Sequence, residues 1–272
     1  MSRQDITVKL HGKYQEWIGQ IKTNCPEFLE KDWYSNPYYL GLQDNWCDRD
    51  VVRVLVVGEE GVWGKTGNAK YPSDCKGKTL SFKADDFENL MDWAKDNLDR
   101  QINLELPPKD LSKKYGFGYN QHSFWRWFRE LKKSAQKRNL RISFAITELD
   151  KICKKPLKKR GKCCLKKDEE QRLHAAENEN RIAILKEEID ILQPDIVLFF
   201  GWYTSVLKME LPKLAKEVEM RRSEWDFKEN DKAHPIKIER DNRVYIFSYH
   251  PSRMNNEYKN QVIELFESEL ET

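Results

Sequence analysis

The residues of this chain best suited to chemistry stand at the ends of two apolar runs. Residues 51–57 (VVRVLVV) lead into Gly58-Glu59-Glu60, and residues 244–248 (VYIFS) lead into Tyr249-His250-Pro251-Ser252. Runs of this type read as buried strands, and the loops beyond strand C-termini are where open α/β sheets bind ligands. Two carboxylates and an imidazole at one such edge form an acid–base set. A carboxylate stabilises positive charge or orients a water, and a histidine donates to a group that becomes negative. A histidine before a rigid proline is, taken alone, more often a packing residue. The glutamates of the other loop are what make His250 a candidate.

The elements that must position these residues follow from the hydrophobic periods. Residues 13–22 have helical spacing and are followed by an aromatic, irregular stretch (Trp33, Tyr34, Pro37, Tyr38, Tyr39, Trp46), so residues 1–50 read as an extension packed on a core domain of residues 51–272. Phe87, Leu90, Met91, Ala94 and Leu98 give a helix over 85–98 one apolar face. A second helix over 123–139 is aromatic on one side (Phe124, Trp125, Trp127, Phe128, Leu131) and basic toward its end. Residues 142–146 read as a strand, 169–192 as one long helix, 195–200 as a buried strand ending at Gly201, and 203–218 as helical despite Pro212. Short strands over 236–238 and 244–248 and a helix over 257–270 complete the pattern. The alternation predicts an α/β fold with a central, mostly parallel sheet and helices on both faces.

Gly58-Glu-Glu-Gly-Val-Trp-Gly64-Lys65-Thr66 invites comparison with a phosphate-binding P-loop. That motif has four residues between its first glycine and its Gly-Lys pair, whereas here five separate Gly58 from Gly64. Two glutamates would repel the phosphates, and Gly67 and Pro72 interrupt the helix that should receive the anion. Asp195 precedes its strand and is not placed to hold magnesium. A P-loop-like NTPase is the minor alternative.

Four segments in order resemble the uracil-DNA glycosylase superfamily. Gly58-Glu59-Glu60 is similar to the family's Gly-acid loop after the first strand, and His250-Pro251-Ser252 to its His-Pro-Ser after the last. Between them, Ile146-Thr147-Glu148-Leu149-Asp150-Lys151, then Pro156 and Cys163, resemble the Ile-Thr-Asn and Lys segment of the iron-sulfur branch. Pro194-Asp-Ile-Val-Leu-Phe-Phe-Gly201 resembles the family's Pro-x-hydrophobic strand ending in glycine. The resemblance spans about residues 51–270 and implies a glycosylase-like α/β domain.

The resemblance implies a monofunctional DNA glycosylase that flips a base out of DNA, hydrolyses its N-glycosidic bond and leaves an abasic site. Bond breakage builds positive charge on the sugar and negative charge on the base, which suits Glu59 or Glu60 beside the first and His250 beside the second. Flipping also requires an aromatic platform and a wedge. Phe82 resembles the family's stacking phenylalanine, with Trp63 the rival; Met254 is the wedge candidate and Arg253 a phosphate contact beside Pro251 and Ser252. Lys151 and the basic loop with Lys154, Lys155, Lys158, Lys159 and Arg160 are assigned to the DNA backbone.

The chain departs from the family in three places. No proline follows the Gly-acid pair, which leaves Glu59 and Glu60 open as alternatives. The cysteines at 25, 47, 75, 153, 163 and 164 lack the Cys-x-x-Cys of the iron-sulfur branch, so no cluster, metal or other cofactor is expected. Glu148 stands where the family uses Asn to read uracil. An ionised carboxylate only accepts hydrogen bonds, so it suits a ring with an exocyclic amine and repels uracil O4, whereas a carboxyl that burial keeps protonated donates to O4. The expected substrate is a modified, cytosine-like base, such as a hypermodified base of phage DNA, and the role antiviral defence. Repair of uracil or deaminated bases, and a non-catalytic nucleic-acid-binding protein, are the alternatives.

The 272 residues allow one good-sized domain. Net charge is only +3, but Lys151 to Lys167 (KICKKPLKKRGKCCLKK) holds no acid. The sequence has no apolar stretch of about 20 residues and no apolar core after Met1-Ser-Arg-Gln-Asp, so a cytoplasmic protein with reduced thiols is expected, with DNA as partner, no membrane, and a monomeric state.

Overall fold

The computed structural model describes residues 1–30, 39–60, 87–102, 123–152, 167–174, 182–201, 204–223, 234–251 and 254–270. Nine α-helices occur among these residues: α1 Arg3–Asn24, α2 Glu27–Glu30, α3 Phe87–Ile102, α4 Ser123–Lys137, α5 Lys167–His174, α6 Ile184–Leu192, α7 Thr204–Glu210, α8 Pro212–Ser223 and α9 Asn256–Glu269. The strands are β1 Gly41–Leu42, β2 Val51–Glu60, β3 Arg141–Asp150, β4 Ile196–Phe200, β5 Ile236–Arg240 and β6 Arg243–Ser248.

The strands form one mixed sheet in the order β1-β3-β2-β4-β6-β5. The inner four are parallel, as their long crossover connections require. Both edges are antiparallel, which corrects the expectation of a mostly parallel sheet. One edge is a hairpin: Asp241 and Asn242 between β5 and β6 have φ of 52° and 57°, the left-handed pair that a two-residue turn needs. At the other edge β1 lies directly under α3, since a Cβ on Gly41 would stand 2.7 Å from the carbonyl carbon of Ala94. Beside β1, backbone and side chains extend the ladder: the Gln43 N–H donates to the Phe144 carbonyl at 3.2 Å, Gln43 Oε1 accepts from the Phe144 N–H at 2.8 Å, and Asn45 Nδ2 donates to the Ile142 carbonyl at 3.2 Å. Residues 1–50 thus supply an edge strand and part of the core.

The chain steps from β2 outward to β3, then back across β2 to β4 and β6. Crossovers of fixed hand place the helices of opposite steps on opposite faces. Accordingly Leu55, Val57, Ala145, Val197 and Phe199 face a core shared with α1, α6, α7 and α8, while Val54, Val56, Phe144, Ile146, Leu198 and Ile246 face one shared with α4, α9 and the end of α3. The alternation is what a sheet buried on both sides imposes.

Helix boundaries differ in two places. The single long helix expected over 169–192 is interrupted, because Ile182 and Ala183 are not helical. The helix expected over 203–218 is two, with Pro212 at the first position of α8, where its missing N–H costs nothing. Among the described residues no helix is long and apolar enough to cross a membrane.

Candidate functional site

Both motif strands run further than their apolar stretches predict. β2 continues through Gly58 to Glu60 and β3 through Thr147 to Asp150, with Gly58 paired to Glu148 and Glu60 to Asp150. Gly58-Glu59-Glu60 is therefore strand and not loop, because the parallel ladder with β3 continues past the last valine.

The register brings the motifs to one level. Val57 stands beside Thr147 and Phe199, and Phe199 beside Phe247. One residue further, where the β2–β4 ladder has ended, Glu148 pairs with Gly58 across β3 and β2 and Phe200 with Ser248 across β4 and β6, and the four make up one row. Glu59-Glu60 and Tyr249-His250 leave this row from strands separated by β4 alone, roughly 10 Å apart at the spacing of sheet strands. The chain reverses its direction of winding between β2 and β4, so this end of the sheet is the topological switch point at which doubly wound sheets take ligands.

Within the row, Glu148 is buried, with 6% of its surface exposed, and its carboxylate lies over Gly58. A Cβ on Gly58 would stand 2.7 Å from Glu148 Cδ and 2.8 Å from Oε1. Glycine at 58 makes room for that carboxylate. The same face carries an aromatic floor. Phe200 packs against Trp127 of α4 with ring centroids 5.7 Å apart, and Tyr249 against Tyr258 of α9 at 5.2 Å. Ser248 is fully buried and its hydroxyl donates to the Tyr249 carbonyl. Burial pushes the Tyr258 hydroxyl up to about 12.

On the opposite face of β3 lies a polar cluster that sequence reasoning missed. Glu188 of α6 is fully buried and receives Lys151 Nζ on both carboxylate oxygens at 2.7 Å. Thr147 Oγ1 donates to Glu188 Oε2 at 2.8 Å and Tyr14 Oη to Oε1 at 2.7 Å, while the Leu40 N–H donates to Tyr14 Oη at 3.2 Å. Lys151 also donates to Thr147 Oγ1. Burial first, and the Glu188 charge second, hold the Tyr14 hydroxyl well above its ordinary pKa. The signal was in α6: Glu188 interrupts the apolar stripe of Ile184, Leu185, Ile189 and Leu192, and a carboxylate on a buried stripe needs a cation.

This cluster corrects the assignment of Lys151 to the DNA backbone. Its ammonium is fully buried and committed to Glu188, so no phosphate reaches it. Pro251 is also buried. His250 is half-buried directly after the row. Met254, the wedge candidate, is half-buried and packs against the core between the sheet, α4 and α9, a contact it would have to leave to enter a duplex. Asp195 is bound to Arg53, its Oδ1 2.8 Å from Nη2 and its Oδ2 2.8 Å from the Arg53 N–H, so it ties β4 to β2. Phe82, Trp63, Lys154, Lys155, Lys158, Lys159, Arg160, Ser252 and Arg253 lie outside the described residues, as do Gly64-Lys65-Thr66. Among the described residues no group of three or more His, Cys, Asp or Glu is placed to hold a metal ion. No protein-family model matches this chain, and no curated protein matches it.

Proposed function

We propose that the chain is a monofunctional DNA glycosylase of the uracil-DNA-glycosylase type that excises a modified, cytosine-like base. The observation that carries this reading is the row Glu148–Gly58–Phe200–Ser248, with a buried carboxylate over Gly58 and the Glu59-Glu60 and His250 positions at the adjoining strand ends.

The chemistry follows from that placement. A base turned out of the stack enters on the face with Phe200, Tyr249 and Tyr258, where its exocyclic amine donates to the Glu148 carboxylate. Glu59 or Glu60 stabilises the positive charge that grows on the sugar as the C–N bond lengthens. His250 donates to the departing base, and water adds to C1′, giving free base and an abasic site. A carboxylate at 148 repels uracil O4, so the pocket selects cytosine-type rings. Removal of ordinary cytosine would destroy host DNA, so the substrate is a modification foreign to the host, which favours defence over repair.

The phosphate-binding alternative is weakened by the same geometry. A P-loop would need the backbone at Gly58 to open toward phosphate, yet Gly58 is in a paired strand with a carboxylate against it. A nucleic-acid binder without chemistry is separated by experiment. The test is release of base, by mass spectrometry, from DNAs containing uracil, hypoxanthine, 5-hydroxymethylcytosine or glucosylated hydroxymethylcytosine, with Glu59→Ala and Glu60→Ala singly and together. Release of a modified cytosine, abolished in one single variant and in the double, is expected and identifies the working carboxylate. Release of uracil in preference would overturn the role of Glu148, and binding without any release would leave the non-catalytic reading.

A further inference from the structure

The cluster around Glu188 has no part in the chemistry above, yet it lies on the reverse of the strand that carries Glu148. Side chains alternate along a strand, so Thr147 and Lys151 turn toward α6 while Glu148, between them, turns toward the row. Glu188 thus grips β3 twice, at the residue before Glu148 and at the residue after the strand ends. Its two oxygens are saturated: Lys151 Nζ reaches both, Thr147 Oγ1 donates to one and Tyr14 Oη to the other. Lys151 uses its third proton on Thr147 Oγ1, so every member of the cluster is committed.

The grip falls where the sheet narrows to two strands. β1 pairs with β3 no further than Ile146, and β4 pairs with β2 no further than Val57. Beyond those points, among the described residues, 58–60 and 148–150 pair only with each other. A two-stranded ribbon is marginal in water unless it packs against something. Glu188 supplies that support from α6, and the Tyr14 link adds α1 and, through the Leu40 N–H, the chain entering β1. A buried ion pair is a poor source of stability, because apolar groups of similar volume hold a core as well. Its hydrogen bonds differ from apolar contacts in fixing distance and direction.

We propose that Glu188 is a positioning residue for the candidate site: through Thr147 and Lys151 it fixes the two-stranded end that carries Glu148, Glu59 and Glu60. The inference rests on the base-excision reading of that end and adds what holds its carboxylates in place. Glu188 is fully buried and touches no substrate. It acts through the backbone of β3, so its loss lets Glu148 and its partner Gly58 shift together, away from Phe200 and Ser248 on strands that stay paired.

The test compares the unaltered full chain with a Lys151→Met/Glu188→Leu variant, which removes both charges and leaves neither buried alone. Circular dichroism and urea denaturation check the fold. Hydrogen exchange read by mass spectrometry is expected to quicken at least ~10-fold over residues 58–60 and 147–150, with residues 196–200 of β4 unchanged. The kcat for release of the modified cytosine should fall at least ~10-fold with little change in KM, and the preference over uracil should narrow. A role in stability alone would give back exchange and kcat together with the fold. Thr147→Ser keeps the hydroxyl and should match the unaltered protein. Thr147→Val loses it and carries the test if the double variant misfolds, with the same shifts to a smaller degree. Unchanged exchange in a folded variant that has lost the cluster, or full kcat with unchanged base preference, would overturn the proposal. Base release by the unaltered chain judges the underlying reading separately: faster exchange in the variants with no base released by any form would keep the grip of Glu188 and sink the chemistry.

Discussion

The carboxylate of Glu148 occupies the space that a side chain at position 58 would need. A Cβ there would lie 2.7 Å from Glu148 Cδ, and Gly58 and Glu148 are register partners on β2 and β3. The atom displaced is the far end of a flexible side chain and not backbone, which separates the cost to folding from the cost to function.

Gly58→Ala is accordingly expected to fold within about 1 kcal/mol of the unaltered protein. Alanine suits the extended backbone and lowers unfolded-state entropy, which offsets the energy of swinging a carboxylate aside. Base release should nevertheless fall at least ~10-fold, a change equivalent to about 1.4 kcal/mol in the barrier. Urea denaturation together with single-turnover release checks both halves. A variant that is stable and fully active would mean that the position of the carboxylate over Gly58 is not used.

Glu148→Gln tests the chemistry of the same contact. Glutamine keeps the shape but both donates and accepts, so it can satisfy O4 of uracil as well as an exocyclic amine. The variant should gain release of uracil relative to the modified cytosine, read as a shift in the ratio of kcat/KM for the two substrates. An unchanged ratio would remove Glu148 from base selection.

The buried pair on the other face of β3 predicts an asymmetric mutational response. Glu188→Gln leaves Lys151 buried without its counter-charge and should cost about 3 to 5 kcal/mol. Tyr14→Phe removes one hydrogen bond to a charged group and should cost about 1.5 to 3 kcal/mol. Replacing both charges, as Lys151→Met/Glu188→Leu, should recover most of the loss, since two apolar groups need no partners. Chemical denaturation of the three variants decides, and a double variant as unstable as the single would show that packing, not charge, holds this site.

These residues also show where sequence reading reaches its limit. The strands were legible because Val54 to Val57 and Ile196 to Phe200 are continuous apolar runs, as a sheet covered on both faces demands. Their ends were not, because polar residues such as Glu148 sit in a strand by virtue of a neighbour's ladder, which local pattern does not encode. Lys151 read as surface because it begins a basic run, whereas its environment is set by Glu188 and Tyr14, which are distant in sequence. For the same reason the segment 1–50 read as an extension, although Tyr14 and β1 build one side of the site's scaffold.

Alkaline pH should loosen the fold in a defined window. Burial raises the Tyr258 hydroxyl from 10.0 to about 12 and the Cys25 thiol from 9.0 to about 11, so the folded state holds both protons more tightly than the unfolded chain. Their contribution to stability is fully present below the unfolded values and is lost as pH rises from about 9 through 12, as the unfolded chain sheds protons that the native state keeps. Tyr258→Phe removes one of these raised groups, so its stability should fall less steeply between pH 10 and 12 than that of the unaltered protein, with the slope near pH 9 little changed. Cys25→Ser should flatten the lower part of the window instead. Urea midpoints measured at half-unit intervals distinguish the two, and equal slopes in all three proteins would mean that neither proton is held by burial.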